Sequence, residues 1–213
     1  MNFNIINQNE WNRKNTYDQF YNNSPCTFSM TVNIDITSLY KTVKCNKLKL
    51  FPTILFGLSH VVNSHKEFRM DLNSNGQVGY YDASNPCYTI FHNETETFTN
   101  VWTEYDFDYT VFIQNYHKDM LKYENDCVNS KPILSGNLFN VSCIPWTSFT
   151  GFNLNLQKGY DYFPPIFTIG KFYEENEKYM LPLALQVHHA VCDGFHATRF
   201  INGLQEWADS FIL

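Results

Sequence analysis

The chain has 213 residues, 44% of them hydrophobic, and sets 15 Lys and Arg against 21 Asp and Glu for a formal charge of −6. That length and apolar content suffice for one core, so residues 1–213 are expected to form a single domain. The acidic balance argues against a nucleic-acid surface, and no apolar stretch reaches the about 18 residues of a membrane span; the richest, Leu50 to Val62, is interrupted by Pro52, Thr53, Gly57, Ser59 and His60.

The cysteines at positions 26, 45, 87, 127, 143 and 192 lack paired spacing, and the start, Met1-Asn-Phe-Asn, lacks the basic region and apolar core of a secretory signal. Reduced thiols and a cytoplasmic location are therefore expected. The 19 Phe, 14 Tyr and 4 Trp are mostly packing residues, but such a surplus also suits an apolar pocket for an aromatic ligand.

In chain order, Trp11 to Tyr21 reads as a short helix, with Trp11, Tyr17, Phe20 and Tyr21 for a buried side and Arg13, Lys14 and Asp18 between them. On the helix pattern alone Arg13 is a solvated charge. Cys26, Phe28, Met30, Val32 and Ile34 alternate with polar residues from Thr27 to Asp35, which predicts a strand with one apolar face. Lys41, Lys44, Lys47 and Lys49 read as a solvated loop, or as a small cluster able to meet the phosphates of a nucleotide cofactor. Pro52 opens a helix with Ile54, Leu55, Leu58, Val61 and Val62 on its buried stripe, and His60 and His65 beside it read as structural.

Asn73-Ser-Asn-Gly76 is a turn, followed by strands over 77–82, 88–93 and 98–105. Phe112, Tyr116, Met120 and Tyr123 return to helical spacing, and Asn125 to Gly136, rich in Asn, Asp, Ser, Pro and Gly, reads as an exposed loop. Strands are expected over 138–144, 151–156, 166–173 and, after a Glu-Glu-Asn-Glu turn, 179–187. Phe200, Ile201, Leu204, Trp207, Ala208 and Phe211 close the chain at helical spacing. Helices and strands come in runs without strict alternation, the pattern of an α+β layered domain.

Chemistry concentrates between the last strand and the last helix, in Gln186-Val-His188-His189-Ala-Val-Cys192-Asp193-Gly194-Phe-His196. Successive side chains of an extended chain point to opposite faces, so His188 and His189 are expected to divide into one working and one packing residue. Asp193 before Gly194 has the chemistry of a helix cap. Three readings fit the residues themselves: packed histidines with a cap; a metal site of His189, Cys192 and His196, which no recognised ligand spacing supports; and general-base catalysis by a neutral imidazole.

His189-Ala-Val-Cys-Asp193-Gly194 resembles the His-x-x-x-Asp-Gly signature of acyltransferases that use coenzyme A thioesters, and the longer string from Gln186 to His196 resembles the chloramphenicol acetyltransferase family. Trp11-Asn-Arg13-Lys14, Pro25-Cys26-Thr-Phe28, Ile34-Asp-Ile-Thr37, Glu67-Phe-Arg69-Met70, Thr89-Ile-Phe-His92, Glu94-Thr-Glu-Thr-Phe98, Pro145-Trp146, Phe152-Asn-Leu154-Asn and Ile166-Phe-Thr168 are similar to that family in the same order, across nearly the whole chain. The short signature is shared by several acyltransferase groups; the ordered set is specific.

The resemblance implies a two-layer α/β sandwich with a mixed sheet, acetyl-CoA as co-substrate with no metal, and acetyl transfer to the 3-hydroxyl of chloramphenicol by direct attack. It implies His189 as general base, Ser142 as oxyanion donor, and Arg13 paired with Asp193 across 180 residues to tie the first helix to the signature loop. Thr168 is expected to help hold a water near the tetrahedral intermediate. Cys26, Phe28, Phe152 and Leu154 are expected to line the antibiotic pocket, and Lys49, Trp146 and Lys171 to contact coenzyme A. Two departures concern the drug alone: Asn125 to Gly136 matches the family least, and Phe20 stands where relatives often carry a tyrosine. Family members are homotrimers with sites between subunits. A dihydrolipoyl acyltransferase catalytic domain shares the signature, and a silent module binding a small aromatic ligand is the alternative from outside the enzymes.

Overall fold

A computed structural model describes residues 2–133, 136–156 and 161–213. Short strand β1 (Phe3–Ile5) precedes α1 (Lys14–Asp18), which widens into a π turn over Gln19–Asn23. The helix expected from Trp11 thus starts three residues later, with Arg13 at its cap position. The alternating stretch forms β2 (Thr27–Asp35). The lysine-rich segment expected as a loop instead contains α2 (Thr37–Cys45), which buries only Leu39 and Val43 and carries Lys41 and Lys44 among its solvent-side positions. The next helix, α3 (Leu50–Ser64), starts two residues ahead of Pro52, which still sits in the first turn, where amides have no partner inside the helix.

A 3-10 turn (Lys66–Arg69) leads into β3 (Met70–Leu72), β4 (Val78–Tyr81), β5 (Asn85–His92) and β6 (Thr97–Trp102), then α4 (Tyr109–Tyr123) and β7 (Leu138–Ile144). The chain ends with β8 (Ile166–Gly170), β9 (Tyr173–Glu175), β10 (Lys178–His188) and α5 (Gly194–Ser210). β1, β4 and β3 form a small antiparallel sheet. The main sheet runs β2-β10-β8-β7-β5-β6, with β9 also on β10; β7 is parallel to β5 and β8 and the other pairs are antiparallel. The sheet is mixed, as expected.

One face of this sheet is the core. Phe139 and Val141 of β7, Phe167 and Ile169 of β8 and Leu183 and Leu185 of β10 alternate onto it, all nearly or fully buried, beneath Leu55 and Leu58 of α3 and Phe200 and Leu204 of α5. Phe200 stacks on Phe167 at 4.8 Å and Tyr116 of α4 on Tyr88 of β5 at 5.6 Å, so the helices share a side and the architecture has two layers.

Two expected strands differ in instructive ways. The one expected over 166–173 is interrupted at Lys171 and Phe172, because the Lys171 amide donates to Thr147 O at 2.9 Å and the Ser148 hydroxyl to Lys171 O at 2.6 Å, taking that backbone out of the ladder. The stretch expected as a strand over 151–156 is irregular. Its backbone bonds go to side chains of the sheet: the Phe152 amide donates to Thr31 Oγ1 at 3.2 Å, and Leu154 exchanges two hydrogen bonds of 2.8 and 2.9 Å with the carboxamide of Gln186. The turn over 174–177 is a two-residue hairpin with Asn176 and Glu177 at φ of 51° and 64°, the conformation that matches strand twist.

Candidate active site

The signature lies at the junction of β10 and α5, and the two adjacent histidines do separate. His188 is buried; its Nδ1 accepts the Ala190 amide at 3.1 Å and its ring lies 5.0 Å from Phe163. It packs. His189 is half-buried, with its amide donating to Cys26 O at 2.9 Å. Its ring is stacked on Phe20 at 3.8 Å and 11° and meets Phe28 edge-on at 5.3 Å. His189 Nδ1 is buried with no hydrogen-bond partner among the described residues, which leaves Nε2 as the ring nitrogen able to meet a ligand.

Asp193 caps α5, accepting the amides of Phe195 at 3.1 Å and His196 at 3.4 Å. Its other oxygen receives Arg13 Nη1 at 2.5 Å, with side-chain exposures of 18% for Arg13 and 30% for Asp193. Burial pushes the Asp193 carboxyl up, but the Arg13 hydrogen bond and the charges of His196 and Arg13 together hold it below the ordinary aspartate value. His196 Nδ1 lies 2.7 Å from Asp193 Oδ1 and 3.2 Å from its amide, closing a capping box. Burial lowers the His196 imidazole from its usual value, against the raising effect of the Asp193 charge. Glu67 stands on its far side, held by Arg199 at 2.8 Å, and accepts the Cys192 thiol on its carbonyl at 3.6 Å. Cys192 is buried, and desolvation raises its thiol far above neutrality, so it is no nucleophile.

Ser142 faces away from the core. It pairs with Thr168, which pairs with Ala184 of β10. Tyr88 is in register with Val141, so Thr89, the next residue of β5, faces the same way as Ser142 and pairs in turn with Asn100. A cleft of about 280 Å³ on this face is lined by Ser142, Thr89, Asn100, Leu154 and Tyr162, and Asn140 donates to the Tyr162 hydroxyl. Thr168 is buried below the segment that carries Phe152 and Leu154. A second, more apolar cleft of about 290 Å³ is lined by Phe51, Pro145, Lys171 and Phe172. Trp146 follows Pro145, is 61% exposed and meets Phe91 edge-on at 4.8 Å; Lys49 caps α3 immediately before Leu50, another lining residue. Of the three residues expected to meet coenzyme A, Lys171 lines this cleft, while Lys49 and Trp146 are each next in sequence to a lining residue.

A family model described as chloramphenicol acetyltransferase matches residues 1–205. The chain belongs to the chloramphenicol acetyltransferase family. A chloramphenicol acetyltransferase of Campylobacter coli is 55% identical over 97% of this chain and 98% of its own, and one of Escherichia coli is 41% identical over 98% and 95%. In fold, the chain is similar to a solved chloramphenicol acetyltransferase at a TM-score of 0.86, with 20% identity over 97% of this chain and all of that one. It is similar at lower score, 0.66, to the dihydrolipoamide acetyltransferase of Azotobacter vinelandii, with 16% identity over 92% of this chain and 86% of that one.

Within this chloramphenicol acetyltransferase family member, the sequence pattern alone did not disclose several contacts. Phe20 carries no sign of its stacking on His189, Gln186 none of its hold on Leu154, and Glu67 none of its place between Arg199 and His196. Charged residues beside buried ones, as in Glu67-Phe68, were the one available signal for the last.

Proposed function

We propose that the chain transfers the acetyl group of acetyl-CoA to the 3-hydroxyl of chloramphenicol, with residues 1–213 acting as one cytoplasmic acetyltransferase domain. Membership of the family over residues 1–205 carries this reading. His189 Nε2 takes the hydroxyl proton as the oxygen attacks the thioester carbonyl carbon. The Ser142 hydroxyl donates to the developing oxyanion, and Thr168 holds a water beside it. Collapse breaks the carbon–sulfur bond, and the departing thiolate takes the proton back from His189. Arg13 and Asp193 fix the junction that carries the base. Cys26, Phe28, Phe152 and Leu154 line the drug pocket, and Lys49, Trp146 and Lys171 receive coenzyme A. Thiol release from acetyl-CoA, with and without chloramphenicol, tests the reaction when paired with the product mass. Drug-dependent release with one acetyl added is expected; release with dihydrolipoamide alone would move the chain to the other acyltransferase class.

The site needs two subunits on this reading, and a homotrimer supplies them. Ser142 is level with Ala184, whereas His189 lies five residues further on (184 to 189) and two strands across. At about 3.3 Å per residue and about 4.8 Å per strand they are on the order of 15–20 Å apart, too far to serve one carbonyl. A second copy that brings its Ser142 cleft to this His189 removes the gap. Co-assembly of two inactive variants, His189→Ala and Ser142→Ala, is expected to restore roughly a quarter of wild-type activity, since that share of randomly formed interfaces joins two intact residues. Sites formed within single chains give no recovery.

A further inference from the structure

Lys131 lies in the stretch Asn125 to Gly136 that the sequence pattern marks as an exposed loop, yet its side chain is only 16% exposed. Its Nζ is 2.6 Å from Asp119 Oδ1 of α4, donates to Trp102 O at 2.8 Å and stands 3.7 Å over the Trp102 indole. An ammonium has three donors, and here a carboxylate, a carbonyl and an aromatic face converge on it. Asp119 is also 13% exposed, and its second oxygen accepts the Thr103 hydroxyl at 3.1 Å. Because a carboxylate only accepts, Thr103 donates to it, and the buried Tyr88 hydroxyl must then donate to Thr103 Oγ1, 2.9 Å away. The ion pair therefore connects the loop to α4, to β6 and to β5.

The backbone around Lys131 meets the outer edge of β6, the last strand of the main sheet. The Lys131 amide donates to Asn100 O at 2.8 Å, and the Asn100 amide donates to Ser130 Oγ at 2.9 Å. Trp102 Nε1 donates to Pro132 O at 3.0 Å. Both backbone groups of Asn100 that point outward are thus held by residues 130 and 131, and Asn100 lines the cleft of Ser142.

We infer that Lys131 is a positioning residue for the acceptor pocket: paired with Asp119, it straps the loop onto β6 and so fixes Asn100 in the wall facing Ser142. The inference rests on the acetyl transfer proposed above. Its effect falls on acceptor binding, because Asn100 is in the wall and the chemistry belongs to His189 and Ser142.

The test compares wild type, Lys131→Met and the double variant Lys131→Met/Asp119→Asn. The single variant leaves the Asp119 charge stranded and lowers stability; the double variant removes that charge and regains stability. In both, the KM for chloramphenicol is expected to rise roughly tenfold, with kcat and the acetyl-CoA KM within about twofold of wild type, since a wall shifted by a fraction of an ångström loses contacts the drug makes in ground and transition states alike. Hydrogen exchange at the Asn100 amide is expected to quicken in both. If the double variant recovers the acceptor KM along with its stability, Lys131 is a charge partner and nothing more, and the inference fails. Should wild type not acetylate the drug, the proposed reaction falls by itself; unchanged exchange at Asn100 in the variants overturns the strap in either case.

Discussion

Substituting alanine for His189 is expected to lower kcat by ~10²–10⁴ while chloramphenicol affinity stays within about threefold. The loss follows from the place of the ring. Phe20 covers one face and Phe28 meets it edge-on, so water cannot readily stand in for the missing base, and no other histidine replaces it. His188 is turned into the core on the opposite side of the chain, and His196 is committed to Asp193. Affinity is expected to survive because the residues proposed to line the pocket belong to other elements. Single-turnover acetylation and equilibrium binding on one preparation separate the two quantities; undiminished turnover removes His189 from the mechanism.

Arg13→Ala is expected to destabilise the protein by about 3 kcal/mol, the lower end for breaking a buried pair, because Asp193 keeps part of its exposure. Asp193→Asn retains an acceptor for the cap, so it is expected to lose less stability than Arg13→Ala and to lower the acetylation rate no more clearly than it lowers stability. The sign of the pH dependence follows from Asp193, whose carboxyl lies below its unfolded value of about 3.9. Such a group contributes stability that is complete above the unfolded value and vanishes as pH falls through the folded one. Denaturant unfolding between pH 3 and 7 should therefore show a wild-type decline toward acid that both variants flatten. Parallel curves for all three proteins would remove the pair from the acid limb.

What the sequence disclosed, and what it hid, follows from the range of the interactions. β2 and α5 are legible because alternation and a capping Asp193 act over a few residues. α2 is hidden by its lysines, since two buried side chains leave little helical signal. The stretch 151–156 alternates like a strand, but its hydrogen-bond partners are Thr31 and Gln186, and no local pattern reveals that. In the site, His189 and Asp193 stand in one short string. Arg13 is reached only through resemblance to relatives, and Lys131 with Asp119 only through three-dimensional structure.

The hanging of Phe152 and Leu154 from two side chains, with no ladder of their own, separates the lining proposed for the drug pocket from the architecture of the sheet. A ladder strand shares its register with every neighbour, so a changed residue there disturbs the whole sheet. A segment suspended at Thr31 and Gln186 can exchange the side chains between its anchors and reshape what the pocket admits, while the sheet and the histidine junction stay as they are. Variation in drug range within this architecture is therefore expected to gather in the suspended segment and leave its two hooks alone.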